Sequence, residues 1–472
     1  MPGIAKKGFF LQTVNRQLIR ALTLVPAAAL ILANVIGTGV FVKARVMTCN
    51  VGTPDMVLLV WLVAGLLSLA GALVYAELSA MMPRAGGEFH FLGAAFGPRW
   101  AFLYGWTKTI SLGASAAAVS ILFVVFLNDL TGGVLPEFVL YVMPLVIIAI
   151  GTLINLATVR VNGFATTALT AVKVGLVLVI GLGAFLLADG NWGHFTLSGA
   201  SGTCEGVPES ARFGIGGFGA AMLGALWGYN GWAIISAVGG EIERPSRNIP
   251  LALIGGTGLI VLLYLLINTA YFYVLTPVEV ASVGEASSVA AVSASRFFGP
   301  AAAALMSIGL VISAYGTLHT TLLSGPRVPF TMARANLLPA QFAQLSNRNV
   351  PAVAVIAIGI WAAILAASGT FDILTDIYVF VLWVFFGMNG VALLVLRRAQ
   401  PTFERPYRVW GYPAVPIVFL LVTVYLLVNT LLVTPGRALA GVGLIASGLP
   451  VYSHFKKKMG TVGPSSWLGE GG

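Results

Sequence analysis

The chain has 472 residues, 58% of them hydrophobic and 9% charged, with a mean hydropathy of +0.94. Those values exclude a soluble domain and describe a polytopic membrane protein. The formal net charge of +10 needs no nucleic acid to explain it, because lysine and arginine collect in the loops on one side of a bilayer.

Apolar runs of the roughly twenty residues needed to cross a ~30 Å hydrocarbon core fall near 22–48, 56–82, 98–128, 138–157, 163–188, 214–240, 250–275, 299–325, 351–368, 373–396, 413–433 and 438–455. Twelve spans are predicted. With the N-terminus inside, the inner segments carry 19 basic residues, from Lys6, Lys7, Arg16 and Arg20 to Lys456, Lys457 and Lys458. The outer segments carry 5, Lys43, Arg45, Arg212, Arg296 and Arg437, while Lys108 and Lys173 lie inside spans. Both termini are therefore expected to be cytoplasmic.

Met1 to Arg20 reads as a basic, amphipathic lead-in along the inner face. The first span is interrupted by Ala33-Asn-Val-Ile-Gly-Thr-Gly-Val-Phe41. Two glycines around a threonine open a helix, and backbone groups freed inside a bilayer must face a cavity or a ligand. A half-helix ending at Ile36 and another starting near Val40 would offer amides to an anionic group and carbonyls to a cation. A zwitterion such as an amino acid suits both.

The second span runs into Tyr75 to Glu88, where Pro83, Gly86 and Gly87 turn the chain and Glu77 is expected to pair with an inner arginine. Lys108, about ten residues past Pro98, is expected to snorkel inward. Lys173 in the fifth span lies too deep to do so. It reads as a fixed or titrating cation in a place that an ion would otherwise fill.

Asp189 to Arg212 is a polar outer loop. The sixth span contains Leu226-Trp-Gly-Tyr-Asn-Gly-Trp-Ala233, a second glycine break some 190 residues after the first. Two interrupted spans in corresponding places point to an inverted repeat with a midplane site. At the inner end of this span, Glu241, Glu243, Arg244 and Arg247 read as a solvated loop, with a salt-bridge gate as the alternative. The hydroxyls of Ser313 to Leu323 in the eighth span reach Lys173 if the fifth and eighth spans touch, and His319 reads as a satisfied interior group. The last two spans read as scaffold or dimer surface, and the tail after Lys458 as disordered.

Five segments in order then carry a resemblance: Gly37-Thr-Gly-Val-Phe41, Tyr75 to Glu88, Glu241-Ile-Glu-Arg-Pro-Ser-Arg-Asn-Ile-Pro250, Ala270-Tyr-Phe-Tyr-Val-Leu275 and Gly448-Leu-Pro-Val-Tyr452. They resemble the amino acid-polyamine-organocation superfamily, within it the L-type, light-subunit-like amino-acid transporters. The resemblance implies an all-α, twelve-helix LeuT-like fold, a 5+5 inverted repeat with helices 1 and 6 broken plus two extra helices. It divides the chain into a cytoplasmic lead-in (1–21), a first repeat (22–188), an extracellular loop (189–213), a second repeat (214–396), a cytoplasmic loop (397–412), helices 11 and 12 (413–455) and a cytoplasmic tail (456–472).

By the same resemblance, the unwound stretch Val35, Ile36, Gly37, Thr38 and Gly39 forms the core of the substrate site. Thr38 and the amides around Gly39 would hold the substrate carboxylate, and the carbonyls of Val35, Trp227 and Asn230 would meet its ammonium. Trp227 matches the aromatic lid and Trp383 a tenth-span aromatic beside the side-chain pocket. Lys173 matches a lysine standing where sodium-coupled relatives bind an ion, with Ser313 as its eighth-span partner.

The chain departs from the family at three places. No cysteine falls in Asn128 to Pro136, between the third and fourth spans, so no disulfide-linked heavy chain is expected. Lys108 replaces a residue that is usually acidic, and Asn230 a smaller or apolar one. Whether Cys49 and Cys204, both on the outer side, are bonded is open.

The expected activity is sodium-independent transport of an amino acid across the cytoplasmic membrane by alternating access, without a cofactor or covalent chemistry, in a monomer or homodimer. Exchange of neutral amino acids comes first, since no acidic residue falls in the predicted pocket, and proton-coupled symport second, since Lys173 could titrate. An amino-acid sensor needs the same site, whereas an enzyme needs a cluster that the scattered His90, His194, His319 and His454 do not form.

Overall fold

The computed structural model describes residues 17–37, 39–284, 288–299, 301–368, 371–433, 435–456 and Trp467. In chain order its helices are α1 (Leu24–Val35), α2 (Gly39–Val51), α3 (Pro54–Met81), α4 (Glu88–Phe96), α5 (Pro98–Leu130), α6 (Glu137–Asn155), α7 (Val159–Leu187), α8 (Gly214–Gly228) and α9 (Ile234–Ala237). There follow α10 (Pro245–Val274), α11 (Pro277–Ala281), α12 (Val289–Phe298), α13 (Ala301–Ser324), α14 (Arg327–Arg334), α15 (Ala352–Ala367), α16 (Phe371–Ala399), α17 (Ala414–Val433), α18 (Pro435–Ala446) and α19 (Gly448–Lys456). Among the described residues, nine helical stretches are long and apolar enough to cross a membrane, and α1 with α2, bent by 42° at their break, make a tenth. α8 and α15 are shorter apolar helices.

Local chemistry sets several ends. Prolines open α3 and α10 at the first helical position, where the missing N–H is no loss. α1 stops where Ile36 leaves helical geometry at ψ 84°, and the Gly37 N–H turns back to the Val35 carbonyl at 2.7 Å.

α10 lies along α3, α1 and α7, while α5 packs on α13 and α15. Trp61, Tyr229 and Tyr264 pack ring to ring, with centroids 5.0 to 5.6 Å apart, and lock α3 and α10 against the end of α8. We call the face carrying Leu22, Ala85, Val238 and Ile242 the near face; there the chain leading into α1 and the α3–α4 turn pair with the segment after α9 through short backbone bridges.

Glu77 braces the near face, as its position predicts. Fully buried, it accepts from Arg397 Nη2 at 2.5 Å and Nε at 2.8 Å and from the Val409 N–H at 2.7 Å, with Arg405 Nε 3.4 Å away. The solvated reading of the 241–247 loop fails at Glu241. Its carboxylate is completely buried and receives Arg327 Nε at 2.6 Å and Nη2 at 2.8 Å, while its carbonyl accepts the N–H groups of Ala21 and Leu22. A lone carboxylate does not sit dry; the partner that makes it possible lies on α14, which sequence neighbours do not disclose.

Apart from Trp467, the tail after Lys458 lies outside the described residues. Trp467 is 4% exposed and packs beside Phe89, with ring centroids 5.3 Å apart, over Gly93 of α4. On the far face Cys49 and Cys204 are joined in a disulfide. The same loop is stitched to the end of α2 by Arg45 donating to the Glu205 carbonyl and Asn50 donating to that of Ala211. His319 is a satisfied interior group, 3.3 Å from Asn155 Nδ2 and 3.4 Å from the Asn162 carbonyl.

Candidate functional site

The two glycine breaks meet. Gly231, at φ +125°, lies so close to Asn34 that a β-carbon there would stand 3.1 Å from the Asn34 carbonyl carbon. Such a φ suits glycine alone. Tyr264 of α10 ties the breaks together, its hydroxyl reaching the Val35 carbonyl at 2.8 Å and the Gly228 carbonyl at 3.0 Å.

Beside this junction is a cavity of about 140 Å³ lined by Asn34, Val35, Gly37, Gly39, Trp227, Gly228, Asn230 and Gly231, with Ser115 and Leu122 of α5, Ser313 and Thr317 of α13, and Tyr378 of α16. It brings together five of the sequence-predicted residues from the two breaks, Val35, Gly37, Gly39, Trp227 and Asn230, and also Ser313. Ile36 is fully buried outside the cavity; its carbonyl accepts the Ser313 hydroxyl at 3.2 Å. Thr38 lies outside the described residues. The Val35 carbonyl already accepts from Tyr264 and Gly37, while Asn34 and Asn230 add polar groups to the cavity wall.

Trp227 closes the far side of the cavity against α2. A β-carbon on Gly39 would fall 3.0 Å from its Cζ3 and 3.2 Å from the Gly228 Cα, and Lys43 Nζ lies 5.2 Å from its ring centre. Gly39→Ala forces these groups apart, at about 1–3 kcal/mol for such overpacking. Thermal unfolding of the purified variant is expected to report that loss, and a stability equal to wild type would show that the ring yields freely.

Trp383 does not line the cavity. It is half-buried and stands edge-on to Phe386, with centroids 5.5 Å apart. The α16 side chains that do face inward are Tyr378, Leu382 and Phe386, spaced four residues apart on one helix face; position 383 is turned about 100° away from that of 382.

Lys173 is 1% exposed and stands behind the break, outside the cavity lining. Its Nζ donates to the Ala33 carbonyl at 2.5 Å and to Thr317 Oγ1 at 2.9 Å. α7 and α13 do touch, as the meeting of lysine and hydroxyls requires, but the partner is Thr317, one turn beyond Ser313. Thr317 also donates to the Ala33 carbonyl at 3.2 Å. The Lys173 Nζ and the Thr317 hydroxyl thus converge on the Ala33 carbonyl in the last turn of α1.

A second cavity of about 50 Å³ adjoins the first on the near side, sharing Asn34, Ser115, Asn230, Gly231 and Tyr378. It adds Thr321, Ser324 and Phe386 and two charged residues, Glu88 and Lys108. Both correct the sequence reading. Lys108 does not snorkel away but faces this chamber, with Nζ 5.7 Å from the Tyr378 ring centre. Glu88 places an acidic group in the wall, although its oxygens are occupied: Oε1 accepts from Tyr75 at 2.5 Å and Asn389 at 3.4 Å, and Oε2 from Tyr104 at 2.5 Å.

Several cavity residues had little sequence signal. Asn34 stands directly before the first break, and Thr317 is four residues from Ser313. Tyr378 and Ser115 of the cavity wall, and Tyr264 behind it, lie in helices whose apolar pattern does not say which way each faces.

Comparison with known proteins identifies the family. Residues 22–453 match the family model described as amino acid permease. The serine/threonine exchanger SteT of Bacillus subtilis is 30% identical, with 95% of this chain and 99% of that one covered. The b(0,+)-type amino acid transporter 1 of mouse is 30% identical, with 92% and 87% covered, and the human large neutral amino acids transporter small subunit 2 is 28% identical, with 91% and 79% covered. With a broken helix pair, a cavity at the break and a family match over almost its whole length, the chain belongs to the amino acid permease family, on the L-type side of the amino acid-polyamine-organocation superfamily.

Proposed function

We propose that this permease is a sodium-independent exchanger of neutral amino acids in the cytoplasmic membrane, working by alternating access. The observation that carries the reading is Lys173 bonded to the Ala33 carbonyl and Thr317. An ammonium in that place supplies the positive charge that a sodium ion would otherwise bring to the carbonyl end of α1. The substrate site is the cavity at Val35, Gly37, Gly39, Trp227 and Asn230, completed by Thr38 and the neighbouring Ile36 backbone, with Ser313 and Lys173 holding the break. Trp383 supports the cavity wall through Phe386.

The reading includes twelve spans, with α8 and α9 as one broken span and α15 as another, in the LeuT-like arrangement whose segments are given above. The near face is cytoplasmic and both termini lie there. No cysteine is free among the described residues, which favours a chain without a disulfide-linked heavy subunit, as monomer or homodimer. The relative that is an exchanger by name, SteT, supports exchange over net uptake.

The test is counterflow in proteoliposomes without sodium, using labelled serine, threonine and leucine, with and without an unlabelled internal pool, at two pH values. Uptake that requires the pool and ignores pH is the expected result. Uptake into empty vesicles that grows with an inward proton gradient would establish symport instead, and binding without any flux would make the chain a sensor.

A further inference from the structure

α5 presents a single stripe to both cavities. Lys108, Leu112 and Ser115 line the near chamber, and Ser115, Ala118, Val119 and Leu122 the central one. These positions recur every three or four residues, so one helix face forms a continuous wall. Lys108 stands at its near end, about 10 Å of helix rise from Ser115, where the chambers join. Helical side chains lean toward the N-terminus, here toward the near face, so the ammonium stands in the passage to the central site.

Among the described side chains this passage holds one cation, Lys108, and one carboxylate, Glu88, and the two are not paired. Among the described residues Lys108 has no ion pair; its contact is the face of Tyr378. Glu88, the carboxylate of the same chamber, has its oxygens turned to Tyr75, Tyr104 and Asn389. The remaining polar groups of the chamber wall, Asn34, Ser115, Asn230, Thr321 and Ser324, are neutral. In a narrow space of low dielectric an ammonium with no paired carboxylate repels a second cation at short range and draws anions.

We infer that Lys108 is the charge-selectivity residue of this permease: it admits neutral and anionic side chains through the near chamber and rejects cationic ones. This rests on the transporter reading above and deepens it, since it names the class of amino acid that the protein refuses.

The experiment is competition in proteoliposomes, with unlabelled L-arginine, L-glutamate or L-serine against labelled L-serine, for wild type, Lys108→Arg, Lys108→Gln and Lys108→Glu. The quantity read is the ratio of arginine to serine inhibition constants within each variant, which a general loss of packing leaves unmoved. Lys108→Gln is expected to lower that ratio at least tenfold and to raise the glutamate ratio, Lys108→Glu to go further, and Lys108→Arg to match wild type. A ratio in Lys108→Gln within twofold of wild type, or arginine inhibiting wild type as well as serine does, overturns the inference. The same ratios are read from ligand-induced thermal stabilisation of purified protein, so a variant or a wild type that binds without transporting still decides the role of Lys108. Failure of serine flux in wild type would strike the exchange reading alone.

Discussion

Replacing Lys173 with alanine is expected to slow counterflow by about 10- to 100-fold at unchanged expression. The ammonium supplies two charge-assisted contacts to a buried carbonyl and hydroxyl, at 2.5 and 2.9 Å, and hydrogen bonds to a charged group contribute about 1.5–3 kcal/mol each net. Part of that is recovered because Thr317 still donates to the Ala33 carbonyl. The loss falls on the position of the last turn of α1, and therefore on Asn34 within it and the glycines that follow. Thr317→Ala should fall between wild type and Lys173→Ala, and Thr317→Ser should restore most of the rate. A Lys173→Ala variant exchanging within twofold of wild type would mean that the break is held by Tyr264 and Ser313 without help from α7.

The largest loss of stability is expected at the Glu241–Arg327 pair. Both side chains are completely buried, and the guanidinium also donates through Nη1 to the Leu323 carbonyl. Glu241→Gln strands a buried cation, a change that typically destabilises by about 3–5 kcal/mol. Arg327→Met strands the carboxylate with a similar effect. The double variant Glu241→Met/Arg327→Met should lose less than either single one, because the large penalty belongs to the unpaired charge rather than to absence of the pair. Thermal unfolding of the detergent-solubilised variants checks this, and single variants within about 1 kcal/mol of wild type would show that water reaches the pair.

Glycine breaks were the most legible feature, since their effect is local: Gly37 and Gly39, and Gly228 and Gly231, weaken the helix wherever the chain is placed. Glu77 was legible for a related reason, being a carboxylate one and a half turns inside a basic face. What escaped depends on the relative placing of two helices. Ser313 and Thr317 are hydroxyls on the same side of α13, and which of them is level with Lys173 is decided by the axial offset between α13 and α7. Trp383 and Tyr378 differ in the rotational phase of α16, for which the aromatic content of 378–386 offers no reference. Glu241 and Arg327 are 86 positions apart. Nothing near either residue announces the other, so the charged stretch at 241–247 looks solvated until α14 is laid against it. The disulfide is the same kind of case, since 155 positions separate Cys49 from Cys204.

That bridge has a practical corollary. The protein has two cysteines, and both are consumed in it. A cysteine introduced elsewhere is thus the sole reactive thiol of an otherwise unaltered permease, provided that reductant is kept out. Paired labels at Leu251 and Leu421, both on exposed helix faces, would give spectroscopic distances within a working transporter, with no need to strip the native cysteines and loosen the loop around Cys204 from α2.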